Sequence, residues 1–143
     1  MFRIIPYESV GLIRFGASAE DVKRALGEPV RVRDRPNEMT IQYDRLQVTI
    51  STQNEAVVEI GMSSRVDARL DDVEIFNSPG AFEKLTEQDG SPFEYLGFII
   101  LLKLGITLTG FHDDDPAQRA VTAFARGRWD HLRAKFNPFH LTR

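Results

Sequence analysis

The sequence predicts an α+β fold with two loosely repeated units, each a helix followed by an antiparallel meander. The units are predicted to form one sheet with the helices on one face. A short helix with end signals occupies residues 18–26, alternating apolar and polar residues fill residues 39–62, and a similar succession begins near Ser78. Helical and strand periods in this order are typical of a helix layer packed on an antiparallel sheet.

The first helix has a signal at each end. Ser18 is a favourable N-cap, and Asp21 favours the positive end of the helix dipole. Gly27 fits the left-handed position after the helix, and Pro29 prevents its continuation. The stripe that the helix would bury consists of Val22, Ala25 and Leu26.

Three strands with a period of two follow the helix. A tight turn is predicted at Asp44-Arg45 and another near Gln53-Asn54, and Val30 and Val32 would add a short leading strand. Strands that alternate in this way form a meander with one wet face. The apolar members are Met39, Ile41, Tyr43, Leu46, Val48, Ile50, Val58, Ile60 and Met62.

The second half follows the same plan. Ser78 is predicted to cap a helix with Pro79 at its first position, and this helix ends before Asp89-Gly90. Strands are predicted over residues 93–102 and 104–111. Three pairs of residues stand 60 positions apart: Ser18 and Ser78, Val22 and Phe82, and Ala25 and Leu85. We therefore predict a single domain over 1–143, with tandem units at about 11–63 and 74–126 and a basic segment at 127–143.

Residues 116–126 fit two structures. Asp115, Pro116 and Gly127 have the types expected at the ends of a helix, whereas Val121 and Ala123 alternate with their neighbours as in a strand. The repeat favours the strand, which we predict.

Composition narrows the class of protein. There is no cysteine, which excludes disulfides and thiolate chemistry. The start MFRIIPYESVG lacks the pattern of a signal peptide, and the apolar run 96–102 is far shorter than a membrane span. We therefore expect a cytoplasmic protein.

The net charge of −3 is divided unevenly, with +4 on residues 126–143 and −7 on residues 1–125. The basic segment would either contact an acidic partner or nucleic acid, or form a solvated surface.

The stretch GLIRFGASAEDVKRALGEP, residues 11–29, carries a resemblance. Its phenylalanine-glycine before the cap and its leucine-glycine-x-proline exit resemble the repeat unit of proteins related to the outer-membrane assembly lipoprotein SmpA and the beta-lactamase inhibitor protein. It is also similar to cytosolic bacterial proteins of the toxin-immunity type. The resemblance implies a protein that works by binding. It transfers no binding residues, and the chain lacks the lipidated cysteine of the lipoprotein branch.

Residues capable of chemistry are few. His112 stands beside Asp113, Asp114 and Asp115, but the spacing is not that of a calcium loop, and adjacent carboxylates are typical of a solvated turn. His131 and His140 show no metal spacing, so we predict no metal or cofactor. In RGRWDHLRAKF, arginines flank Trp129. This segment would stack on bases and pair with phosphates of a nucleic acid, anchor a protein partner, or, through Trp129 and Phe136, cover the end of the sheet. The predicted partner-binding residues are Asp113, Asp114, Asp115, Arg126, Arg128 and Trp129.

Three functions are compatible with these observations. The first is a non-catalytic binding protein, an immunity protein or inhibitor that occludes the active site of a toxin through its acidic surfaces, which would suit a nuclease or another basic toxin. The second is a scaffold or assembly adaptor that uses the other sheet face, either as a monomer or as a homodimer. The third is a small enzyme with a cleft between the two halves that uses His112 or His131. We expect the first function, with a protein partner, no membrane contact and no nucleic acid.

Overall fold

The computed structural model describes residues 1–141. Two α-helices and fourteen strands lie within them. In chain order these are β1 (Phe2–Ile5), β2 (Ser9–Val10), β3 (Ile13–Arg14), α1 (Ala19–Leu26), β4 (Arg31–Arg35), β5 (Glu38–Gln42), β6 (Leu46–Ser51), β7 (Ala56–Ser63), β8 (Ala68–Leu70), β9 (Val73–Glu74), α2 (Ala81–Asp89), β10 (Phe93–Tyr95), β11 (Phe98–Leu101), β12 (Ile106–Thr109), β13 (Ala120–Phe124) and β14 (Asn137–Pro138). Short 3₁₀ segments occupy Pro116–Gln118 and Asp130–Lys135.

The strands form two sheets. A five-stranded sheet has the order β3-β2-β1-β8-β9, and a nine-stranded sheet has the order β14-β10-β11-β12-β13-β7-β6-β5-β4. All neighbouring strands are antiparallel except β1 and β8, which are parallel. The mixed α+β class is confirmed. The strands of both predicted meanders share the larger sheet, but the prediction of a single sheet missed the smaller one.

The two meanders meet at the centre of the larger sheet. The last strand of the first, β7, pairs with the last strand of the second, β13, so that Gly61 lies opposite Thr122. Each helix is followed by four antiparallel strands, β4–β7 after α1 and β10–β13 after α2. Whether these segments are copies of one unit remains a prediction.

Helix α1 agrees with its sequence prediction. The Ser18 hydroxyl accepts a hydrogen bond from the Asp21 backbone N–H, and the Asp21 carboxylate accepts one from the Ser18 backbone N–H. These reciprocal bonds form a capping box, which satisfies N–H groups that the first turn leaves free. Gly27 ends the helix with a positive φ of 87°, and Val22 is buried.

Helix α2 departs from its prediction at both ends. Its N-cap is Gly80, and Ser78 uses its hydroxyl to accept a hydrogen bond from the Glu74 backbone N–H instead of capping the helix. The helix also includes Asp89 and ends at Gly90. Phe82 and Leu85 are buried, as predicted. The prediction for Ser78 failed because a serine before a proline also stabilises a turn.

The first meander forms the predicted strands, but Thr40 and Thr49, which alternate with the apolar residues and are predicted to lie on the wet face, are buried, and a bulge changes one core position. A register shift in the β6–β7 pair places Thr49 opposite Glu59 and Ile50 opposite Val57. Because of this bulge, Val57 joins Ile60 in the core and Val58 does not. The leading strand exists as β4, although all of its residues are exposed.

The second meander contains more turns than predicted. The segment predicted as one strand over 93–102 is divided into β10 and β11 by a turn at Leu96 and Gly97, both with positive φ. Ala120–Phe124 is a strand, as predicted. Asp115 makes no side-chain cap, and Pro116 begins only a short 3₁₀ segment.

One apolar cluster joins both sheets and both helices. It includes Ile4 and Val10 from the five-stranded sheet, Val22 from α1, Leu85 from α2 and Ile60 from the nine-stranded sheet. None of the helices in residues 1–141 has the length and apolarity required to cross a membrane.

Candidate binding face

The nine-stranded sheet has two different faces. The core face carries Ile41, Val48 and Ile60, which are opposite one another in register and buried. Because side chains alternate along a strand, the residues between these point to the other side, which we call the open face. One cross-strand row of the open face consists of Arg31, Gln42, Gln47, Gly61, Thr122 and Thr107.

The C-terminal segment covers one part of the open face. Phe136 is buried in a small cluster with Ile100 and Phe124, against which Trp129 and Leu132 pack. Ile100 lies opposite Thr107 in the row, which places this cluster over the β10–β13 side of the sheet. Gln42 and Gln47 lie on the β4–β7 side of the row, and Thr122 of β13 borders them across Gly61.

A groove of about 610 Å³ lies over those polar residues. Its lining includes Gln42, Gln47 and Thr122, and also Gly61. A Cβ atom built on Gly61 would lie 3.5 Å from the Thr122 Oγ1 and 3.7 Å from the Gln47 Cγ, which are ordinary contacts. The missing side chain therefore deepens the groove, although the backbone has room for a larger residue.

The groove has a positively charged rim. Arg31, Arg45 and Arg65 line it, together with Asp44. The Asp44 carboxylate lies 3.5 Å from the Arg45 Nε and 3.9 Å from the Arg65 Nη2, and the Asp44 carbonyl accepts a hydrogen bond of 3.3 Å from Arg65. One carboxylate thus faces two guanidinium groups, which leaves donors for an anionic group. The hydroxyl of Ser63, also in the lining, is buried without a hydrogen-bond partner among the described residues.

Arg128 connects the segment after β13 to two strands, β5 and β7, near the far end of the open face. Its guanidinium donates hydrogen bonds to the Glu38 carboxylate on β5 and, at 2.9 Å, to the Glu59 carboxylate on β7. Burial opposes the charge of Arg128, but the two hydrogen bonds and the carboxylate charges outweigh it and raise the pKa of Arg128 above its ordinary value. This predicted binding residue therefore fixes the segment after β13 to the sheet.

Trp129 and Arg126 are placed by aromatic packing. The Trp129 ring centroid lies 6.0 Å from Phe98 and 5.9 Å from Phe136, and the indole N–H is buried without a hydrogen-bond partner in the described chain. The Arg126 guanidinium lies 4.3 Å from the ring centroid of Tyr7. Burial raises the pKa of Tyr7, whose hydroxyl donates a hydrogen bond to the Leu102 carbonyl. The packing interpretation of Trp129 and Phe136 thus agrees with the structure.

The three predicted aspartates lie elsewhere. Asp113, Asp114 and Asp115 are exposed in the turn between β12 and β13, where the Asp114 carboxylate lies 3.3 Å from the Arg119 Nη2. Arg126 and Arg128 follow the opposite end of β13. The structure therefore divides the predicted set into two groups at the two ends of one strand. Arg143, counted with the basic segment, lies outside the described residues.

The histidines are also separated from one another. The His112 Nε2 lies 3.5 Å from the Glu94 Oε2, its ring contacts Phe139 edge-on, and its Nδ1 is buried without a partner among the described residues. His131 is exposed in a second groove beside Arg128. Within residues 1–141, no three His, Cys, Asp or Glu side chains are grouped so that they could hold a metal ion.

The scaffold hypothesis uses the other sheet face, but the predicted binding residues include none that line the groove of about 610 Å³. Two signals for it are present: the alternating arginines of RVRDR, residues 31–35, and a glycine inside a strand pattern at Gly61. A glycine in a strand often marks a close approach by another group. Comparisons with protein-family models, with curated proteins and with solved structures find no match to this chain.

Proposed function

We propose that this chain is a non-catalytic protein-binding module, an inhibitor of the immunity type that neutralises a toxin by occluding its active site. The observation that supports this proposal most is the groove on the open face, with Gly61 in its floor and three arginines at its rim. We place the contact with the partner on this face, and we expect the partner's surface at the contact to be acidic.

The construction of the groove suits a protein ligand. Its floor is formed by paired strands, whose backbone is already ordered, so little conformational entropy would be lost on binding. Amide and hydroxyl groups of Gln42, Gln47 and Thr122 provide adaptable hydrogen bonds, and arginine is enriched at the energetic centres of interfaces. Opposite charge on the partner would also accelerate encounter.

We also propose a repeated architecture for the fold. We take the two helix-then-meander segments as copies of one unit whose helices lie on the core face. The burial of Val22 from α1 and Leu85 from α2 in one cluster with core-face residues supports this arrangement. Helices on the core face leave the part of the open face that the C-terminal segment does not cover free for a partner. We further propose that the protein acts in the cytoplasm.

The test is capture followed by inhibition. The tagged chain is expressed at native level, bound proteins are identified by mass spectrometry with and without nuclease treatment, and the purified partner's activity is titrated with the chain. We expect one nuclease-resistant partner, toxic when expressed alone, whose activity falls to zero near equimolar chain. A partner that keeps full activity in the complex, or one lost with nuclease, contradicts the proposal.

A scaffold is favoured by a different observation. Leu96 and Phe98, in and beside the β10–β11 turn, are 78% and 37% exposed, on the far side of the sheet from β4. Two separate surfaces would allow an adaptor to hold two partners, or to form a homodimer through one of them. Light scattering of wild type and Leu96→Ser distinguishes the homodimer from the adaptor with two partners. If the protein dimerises through this turn, the measured mass should halve in the variant.

A further inference from the structure

Strand β4 forms an exposed edge of the larger sheet. All five residues, Arg31–Arg35, are exposed, and within residues 1–141 only β5 pairs with this strand. The outer side of an edge strand presents unpaired N–H and C=O groups to which another extended chain can bind. This edge borders the groove, since Arg31 belongs to both.

One face of β4 carries a row of free charges. Arg31, Arg33 and Arg35 point to the open face, as their partners Gln42, Thr40 and Glu38 do. Residues two apart on a strand are about 7 Å apart. None of the three guanidinium groups makes a hydrogen bond or an ion pair with a described residue. They are available to carboxylates that repeat at the same interval.

Apolar side chains lie on the other face at the start of β4, at Val30 just before the strand and at Val32 within it. Val30 and Val32 are 77% and 42% exposed and alternate with the arginines, with Asp34 after them. Exposed valine at an edge favours apolar residues on a chain paired with it, because both remove apolar surface from water. The edge therefore presents positive charge to one side and apolar surface to the other.

We propose that β4 binds an extended segment of the protein partner as an added strand, in which acidic residues alternate with apolar residues. This inference rests on the proposed function and names the part of the partner that the edge recognises. Backbone hydrogen bonds to the free edge would provide affinity, and the arginine and valine rows would set register and sequence preference. The acidic residues would continue the contact toward Arg45 and Arg65 at the groove.

The arginines disfavour a second copy at this edge. If two copies paired through β4 with their open faces on the same side, arginines would lie opposite arginines, and like charges directly opposite each other destabilise a pair of strands. The same charges also protect the edge from aggregation. A purely protective role and a recognition role make different predictions for binding.

The experiment uses a defined peptide. A fluorescein-labelled peptide with four glutamate-valine repeats is titrated with the full chain, and binding is followed by anisotropy. We expect saturable binding that weakens about tenfold in Arg33→Glu and less than twofold in Arg14→Glu. Arg14 is the matched control, because it is an exposed arginine on the edge strand β3 and makes no ion pair among the described residues. Circular dichroism melting curves establish that both variants are folded.

Two further probes separate strand addition from charge attraction. The same peptide with alternate backbone amides methylated keeps its carboxylates but loses hydrogen-bond donors, and we expect it to bind at least tenfold more weakly. An eight-residue oligothymidylate tests nucleic acid. Equal binding of the methylated peptide, or tighter binding of the oligonucleotide, overturns the inference. Absence of peptide binding also overturns the inference, and it does so even if Arg33→Glu increases self-association of the protein.

Two combinations of results distinguish failure of the strand-addition inference from failure of the proposed function. If the captured partner is inhibited by wild type but the peptide neither binds nor competes, the strand inference is wrong and the function stands. If the peptide binds with the expected pattern but no captured protein is inhibited, the edge site stands and the inhibitor function is wrong.

Discussion

Asp89 is the only acidic or basic residue among the described buried residues. It is 1% exposed at the end of α2, and its carboxylate accepts hydrogen bonds from the backbone N–H groups of Ser91, Lys103 and Leu104, at 3.2, 2.8 and 3.3 Å. A negative charge at a helix C-terminus is unfavourable with respect to the helix dipole. The hydrogen bonds explain why an aspartate is nevertheless suitable there, because it connects the helix end to the β11–β12 turn.

We expect Asp89→Ala to lower the free energy of unfolding by about 3 kcal/mol, since three backbone donors lose their acceptor. Asp89→Asn keeps one acceptor oxygen and should have an intermediate effect. Urea denaturation measures both, with Lys84→Ala as a control on the exposed side of the same helix. Equal stability of the alanine variant and wild type would mean that these hydrogen bonds contribute nothing.

Asp21 makes the capping box dependent on pH. Hydrogen bonds from the Ser18 backbone N–H and hydroxyl, and the nearby Arg24, hold the pKa of Asp21 below its ordinary value of 3.8. A lowered pKa stabilises the folded state above pH 3.8, and this contribution disappears as the pH falls through the folded-state pKa. Asp21→Asn should therefore be less stable than wild type at neutral pH, and the difference should shrink below pH 3.8. Thermal melts across this range measure it, with Glu20→Gln as control; a difference independent of pH would contradict the account.

At the scale of elements, the turn after β12 depends on Gly110. A Cβ atom there would lie 2.5 Å from the Arg119 backbone nitrogen and 2.6 Å from the Asp115 carbonyl oxygen. Gly97, in the β10–β11 turn, also has a positive φ, but a Cβ atom there would meet no atom within 4 Å. Comparing alanine substitutions at the two glycines therefore separates the cost of the left-handed backbone from the cost of a steric clash.

We expect Gly97→Ala to cost about 1 kcal/mol from the left-handed conformation alone, and Gly110→Ala about 3 kcal/mol because the clash is added. Chemical denaturation of the two variants compares them directly. Similar losses at both positions would show that the backbone around the Asp113–Asp115 turn moves to accept a side chain.

Arg128 connects the segment after β13 to β5 and β7. Its side chain is 25% exposed, so we expect Arg128→Met to cost about 2 kcal/mol, less than for a fully buried ion pair, because Glu38 and Glu59 lose their counter-charge. The triple variant Arg128→Met, Glu38→Gln, Glu59→Gln should recover part of that stability. If Arg128 acts only as a contact for a partner, the single variant will instead melt like wild type and lose binding.

Elements with local signals were predictable from sequence. Helix α1 has Ser18 and Gly27 at its ends, and the apolar alternation in β5 and β6 correctly predicts the burial of Ile41, Val48 and Ile50. The failures come from tertiary choices: Ser78 caps a turn instead of a helix, and the bulge moves Val57 into the place expected for Val58. The five-stranded sheet includes strands of only two residues, which are too short to produce a periodic pattern.

At the scale of the whole molecule, the candidate site arises from strand order. Arg31, Gln47 and Thr122 are far apart in sequence and share a face because β4, β6 and β13 lie in one sheet. Their types were visible in the sequence, but the pairing of β7 with β13 was not. The sequence instead directed attention to dense local clusters, the three aspartates and the segment around Trp129, which the structure places at opposite ends of β13.

The most direct test is the affinity of the captured partner for three variants. Gly61→Tyr fills the groove, Gly61→Ala leaves it almost open at a position with room for a Cβ atom, and the triple change Asp113→Asn, Asp114→Asn, Asp115→Asn neutralises the acidic turn. Calorimetric titration should show at least about a tenfold loss for Gly61→Tyr, or about 1.4 kcal/mol, with the other two within about twofold of wild type. Unchanged affinity for Gly61→Tyr together with a large loss for the aspartate variant would contradict the account, and would place the contact on the acidic turn.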